Sequence, residues 1–148
     1  MKLELLKYSN RIRKSPSGNE VFDPVRKKYV QATPEEFVRQ LLIQCLIDEF
    51  SCPPGLISVE RMVNYAGLSL RYDLAVYDRK SQPWLLVEIK APRVSLHEET
   101  AMQLSRYNHG FLAPYLLITN GPDALLWERM QSHYQIIERL PIYPLAGV

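Results

Sequence analysis

Trp84-Leu85-Leu86-Val87-Glu88-Ile89-Lys90 carries apolar side chains on both of its faces until Glu88, the pattern of a central strand covered from both sides. Ala91-Pro92 closes it, because proline cannot donate to a β-ladder. Side chains alternate along a strand, so Glu88 and Lys90 point the same way. Upstream, Asp73 stands in a second strand-like run, Arg71-Tyr72-Asp73-Leu74-Ala75-Val76-Tyr77-Asp78, and Lys80-Ser81-Gln82-Pro83 supplies a turn between the two. A hairpin there brings Asp73 alongside Glu88. A carboxylate and an ammonium on a buried strand are costly unless something there needs them. The bland alternative is a Glu–Lys pair at a sheet rim.

Outward from this pair of strands the chain is well punctuated. Short strands are predicted at 3–8 and 20–30, with Ser15-Pro16-Ser17-Gly18-Asn19 as the turn between them and Asp23-Pro24 as a bend. Thr33 is the N-cap of a helix, Pro34 its first residue, and Glu36 completes a T-x-x-E capping box. Phe37, Leu41, Leu42, Cys45 and Leu46 follow at helical spacing until Cys52-Pro53-Pro54-Gly55 ends the element. Further strands are expected at 57–65, 71–78 and 83–90, then a polar, poorly amphipathic helix at 96–109. A buried strand at 115–119, the turn Asn120-Gly121-Pro122-Asp123, a strand at 124–128 and a short one at 134–139 complete the chain. Trp84 and Trp127 read as core. The order predicts an α/β sandwich, a central mixed sheet flanked by helices.

The bulk numbers agree with one domain over 1–148, a basic N-terminal β segment at 1–30 joined to a catalytic core at 31–130. With 148 residues, 47% hydrophobic and 23% charged, the chain can bury a core without cross-links. The net charge of +2 is unevenly placed: residues 1–30 carry a net of +5 and the remainder a net of −3. A basic segment on an acidic body can meet a phosphate backbone, or can simply be a solvated edge. No apolar run approaches the ~20 residues of a membrane helix. Cys45 and Cys52 have no CxxC or Cys/His neighbours, so a reduced, cytoplasmic setting with no membrane is expected.

Two acids and a lysine at a strand junction suit metal-assisted phosphodiester hydrolysis. That reaction requires an activated water and relief of charge on the phosphate oxygens. Magnesium supplies both and takes hard oxygen ligands. Asp73 and Glu88 would be the carboxylates, the backbone carbonyl of Ile89 a further ligand, and Lys90 a point charge orienting water or stabilising negative charge. A general-base role for Lys90 would require its pKa to fall well below ~10.4. Gln103 and Tyr107, four apart, share one face of the second helix and can both offer hydrogen bonds to a phosphate; the alternative is a core tyrosine beside a solvated glutamine. Glu36 has two readings, the helix cap first and an acid approaching the metal second. His97, His109 and His133 lack ligand spacing and read as surface or cap residues.

The ordered set Thr33-Pro34-Glu35-Glu36-x-x-Arg39-Gln40, Arg71-Tyr72-Asp73, Glu88-Ile89-Lys90-Ala91-Pro92, Gln103-x-x-x-Tyr107-Asn108 and Leu117-Ile118-Thr119-Asn120-Gly121 resembles the N-terminal nuclease domain of type I restriction enzyme R subunits, in the PD-(D/E)xK superfamily. The resemblance covers about residues 20–128. It implies a restriction-endonuclease-like sandwich and DNA cleavage dependent on Mg2+, for which Mn2+ can substitute. It also implies catalytic roles for Asp73, Glu88, Lys90, Gln103 and Tyr107. Glu36 matches the acid of the first helix, and Arg39, Arg71, Gln103 and Tyr107 are the candidates for DNA contact. Tyr72 stands where the superfamily's name has proline. No G-x-x-x-x-G-K-[ST] occurs, so the ATP-driven motor of the R subunits is not implied. DNA targeting would then come from a helicase-like or specificity partner, from a homodimer, or from the substrate's shape. The rival expectation is a catalytically silent nucleic-acid-binding or protein-docking module.

Overall fold

A computed structural model describes residues 1–145. Its main body is a six-stranded sheet of β3 (Ile57–Tyr65), β4 (Leu68–Tyr77), β5 (Pro83–Ile89), β6 (Tyr115–Thr119), β7 (Ala124–Arg129) and β8 (Tyr134–Ile136), in that spatial order. Every neighbouring pair is antiparallel except β5 and β6. That parallel join requires a crossover, and α2 (Glu98–Phe111) supplies it. A separate hairpin, β1 (Glu20–Asp23) with β2 (Lys28–Gln31), precedes α1 (Pro34–Asp48). The fold is therefore the expected mixed sheet flanked by helices.

The two helices cover opposite faces of the sheet. Leu85, Val87 and Ile89 of β5 share a core with Val38, Leu41 and Leu42 of α1, whereas Leu86 packs in a second core with Leu104 of α2. This double burial is why β5 reads as a continuous apolar run. Trp84 and Trp127 are both buried, as expected. The thiols of Cys45 and Cys52 are buried and free, and burial pushes both up to about 12.

α1 begins as its sequence dictates: Thr33 Oγ1 accepts from the Glu36 amide at 3.1 Å, and Pro34 occupies the first turn. The helix is buried almost all round, because the N-terminal segment covers the side turned away from the sheet. That segment is a correction to the reading of 3–8 as a strand. Leu5–Arg11 form a 3-10 turn whose Leu5 and Tyr8 pack into the α1 core, with the Tyr8 hydroxyl donating to Glu49 at 2.6 Å. Strand-like bridges flank it, Lys2 to Asp123 before the turn and Lys14 to Val21 after it. Segment 20–30 is likewise two strands, not one, turning at Asp23. No helix among the described residues is long and apolar enough to cross a membrane.

Candidate active site

The pairing of β4 with β5 fixes the central geometry. Leu74 lies opposite Val87, a register that carries Asp73 opposite Glu88, but the ladder stops at Leu74. Asp73 takes over where backbone pairing ends: its Oδ2 accepts from the Ile89 amide at 2.7 Å. The carboxylate thus lies at the fork where β4 leaves β5 and continues with β3 alone. On β3, Glu60 is the position missing from the β3–β4 ladder opposite Asp73, with the register unchanged on either side and φ at +47°.

Glu88 alternates with Leu86 onto the α2 face, and Lys90 Nζ donates to its Oε1 at 2.7 Å. The lysine backbone is tied to β6 through Lys90 N to Thr119 O at 2.9 Å. Burial pushes the Glu88 carboxyl above its ordinary range, and the neighbouring Asp73 charge adds to the rise, against the opposing pull of Lys90. Burial works against the charge on Lys90, but its hydrogen bond to Glu88 and the negative charges of Glu88, Asp73 and Glu35 outweigh it, and its pKa is raised. Lys90 is therefore a fixed cation here, which favours positioning over base catalysis. Glu35 is the residue that sequence reasoning missed. It is exposed on the first turn of α1 and near enough to act on Lys90, and only its place beside Glu36 in the cap hinted at it.

Two expectations are corrected. Glu36 neither folds back on Thr33 nor points freely at the acids. Its Oε1 accepts from Arg26 Nη2 and from Gln40 Nε2, both at 2.8 Å, while Oε2 is paired with Arg39. Arg39, expected either to pair with Glu36 or to contact DNA, is only 3% exposed and makes the first of these contacts. Its guanidinium is turned inward to Glu36, to Glu60 Oε1 at 3.1 Å and toward Asp73 Oδ1 at 3.6 Å. Both departures have one cause: a buried guanidinium must find carboxylates, and Glu36 is the acid within reach on the same helix. Arg71 remains exposed at the base of the β3–β4 ribbon, 3.2 Å from Glu60. Much of the basic N-terminus is also engaged, Lys7 with Glu49, Arg11 with Asp48, and Arg26 with Asp23, Glu36 and Glu60.

Gln103 and Tyr107 meet on α2 as their spacing requires, Gln103 Nε2 donating to the Tyr107 hydroxyl at 3.2 Å. They lie on the helix that covers the Glu88 face, but neither hydrogen-bonds to Asp73, Glu88 or Lys90. His97, His109 and His133 are exposed. Among the described residues no group of three or more His, Cys, Asp or Glu gathers at metal-ligand distance. The donor set is instead a pair of carboxylates beside a strand end. Two adjacent half-buried acids, one with its pKa raised, are a liability that a hard divalent cation relieves, and magnesium commonly takes only one or two carboxylates. A cleft of about 590 Å³ lies elsewhere, along β3 between Arg26, Arg61 and Tyr77. Breadth there reflects the open sheet edge and is not a sign of chemistry.

A six-stranded mixed sheet with a helix on each face defines the fold class, a restriction-endonuclease-like sandwich. The sequence model of the family described as type I restriction enzyme R protein N terminus matches residues 34–141, and the chain belongs to that family. Among solved structures it is similar to a fragment assigned as an HsdR subunit of a type I restriction enzyme from Vibrio vulnificus YJ016. The identity is 18% and the TM-score 0.53, over 72% of this chain and 23% of that one. The chain thus spans about a quarter of the length of that relative. Comparison with curated proteins found no match.

Proposed function

We propose that this domain is a magnesium-dependent endonuclease that hydrolyses phosphodiester bonds in DNA. The observation that carries the reading is the β4–β5 register, which sets Asp73 opposite Glu88 with Lys90 one step beyond. Asp73 and Glu88 would hold the ion, and the Ile89 carbonyl is available as a third oxygen. A strand residue turns its N–H and C=O to the same edge, and the Ile89 amide already faces Asp73. A bound divalent ion, Mg2+ or Mn2+, would supply an activated water and neutralise charge on the phosphate. The chain's own contribution is placement. Lys90, held by Glu88 and kept charged, orients the water and faces the negative charge that develops on phosphate. Gln103, Tyr107 and Arg71 are exposed enough to grip the nucleic acid around it. Restriction-complex membership points to DNA as substrate, with a translocase, a specificity subunit or a second copy delivering it.

The test is incubation of supercoiled, linear and single-stranded DNA with and without Mg2+. Asp73→Ala, Glu88→Ala and Lys90→Ala are each expected to lower the rate by about 10²–10³-fold or more, while circular dichroism and the melting profile stay near wild type. Cleavage surviving in all three would overturn the reading. A second reading is a non-cleaving docking module. It draws support from the self-sufficiency of the charges, Glu88 paired with Lys90 and Asp73 with a backbone amide and Arg39. It predicts DNA binding with no metal-dependent cutting.

A further inference from the structure

Around Asp73 lies a cluster of charges drawn from four parts of the fold. Arg26 leaves the β1–β2 turn, Glu36 and Arg39 belong to α1, Glu60 to β3, and Arg71 to β4. With Asp23, the cluster sets three guanidinia against three carboxylates, so its charges balance before Asp73 is counted. Asp73 is thereby the surplus acid, able to serve a cation while lying 3.6 Å from Arg39. Arg39 is held from two sides by Glu36 and Glu60, and its Nε is buried without a hydrogen-bond partner. Burying an imperfectly satisfied guanidinium is poor value for stability alone, since apolar replacements of buried ion pairs are often neutral or better.

We propose that Arg39 is a positioning residue for the metal site: it fixes the Asp73 carboxylate in the sheet plane, at the distance from Glu88 that a divalent ion requires. The inference rests on the metal-dependent reading above. In this arrangement one Asp73 oxygen accepts from the Ile89 amide and the other faces the Arg39 guanidinium at 3.6 Å, two contacts that together oppose rotation of the carboxylate. The clamp itself is fastened by α1 and β3, which links the orientation of Asp73 to the docking of the first helix.

The experiment is Mn2+ titration of the full chain followed by electron paramagnetic resonance, alongside cleavage kinetics, for wild type, Arg39→Met, Arg39→Lys and Glu88→Ala. Arg39→Met is expected to weaken Mn2+ binding at least tenfold and to lower kcat with the KM for DNA unchanged. Arg39→Lys, which keeps the charge but not the fork, should restore part of both. Mn2+ binding by folded Arg39→Met within twofold of wild type would overturn the proposal. So would tighter binding, because a merely competing positive charge would give that sign. If Arg39→Met does not fold, Arg39→Lys and Glu60→Gln, which loosens the clamp from its other side, carry the same comparison. Wild type binding no Mn2+ that Glu88→Ala removes would instead sink the metal-dependent reading and this inference with it. Mn2+ that Glu88→Ala removes but folded Arg39→Met retains would overturn this inference alone and leave the metal-dependent reading standing.

Discussion

At Glu60 two demands meet in one residue. Its φ of +47° lies in the left-handed region, which costs a non-glycine residue roughly 1–2 kcal/mol. Its carboxylate meets Arg26, Arg39 and Arg71 at 3.1–3.2 Å. Burial alone would raise its pKa, but the charges of Arg39, Arg71 and Arg26 outweigh burial and lower it. A carboxyl held below its unfolded value stabilises the fold above that value, about 4.3, and ceases to do so as pH falls through the folded one. Glu60→Gln is therefore expected to lower the thermal midpoint at pH 7, with the gap from wild type closing below about pH 4; calorimetry across pH checks this. Residue by residue, the sequence exposed Asp73, Glu88 and Lys90, because strand alternation and one hairpin relate them. It hid Arg39 and Glu36, whose partners at 26, 60 and 73 are brought together only by the tertiary fold.

At the scale of elements, local chemistry was legible and context was not. Thr33 and Pro34 start α1 by contacts within four residues, so the start could be read directly. The 3–8 segment looked like a strand because its apolar residues carry no record of α1, the surface on which Leu5 and Tyr8 settle. α2 reads as weakly amphipathic for a related reason. It fully buries only Leu104 and Asn108, and Asn108 is satisfied by the Ala113 backbone, its amide donating to the carbonyl and its oxygen accepting from the amide. With so narrow a buried stripe, one residue carries much of the packing. Leu104→Ala should cost about 2–5 kcal/mol, seen as a lowered urea midpoint. It should loosen the crossover that carries Gln103 and Tyr107 more than the β4–β5 fork, so amide exchange is expected to rise first along 98–111.

Across the molecule, the site lies where a six-stranded sheet splits. β5 continues inward to its parallel partner β6, while β3 and β4 run on together as a two-stranded ribbon that turns at Ala66 and Gly67. The break at Glu60 that opens this fork has an effect on the far side of β3 as well. Among the described residues β3 pairs only with β4, so alternate residues along its nine turn backbone donors and acceptors outward. Flat, long rims recruit strands from other molecules, and a local kink discourages that. The kink beside Asp73 is therefore expected also to discourage pairing between copies along that border. Glu60→Val, which disfavours positive φ and promotes a straight strand, should scatter light on warming. Glu60→Gly, equally without the carboxylate but at ease in the bend, should stay clear for longer.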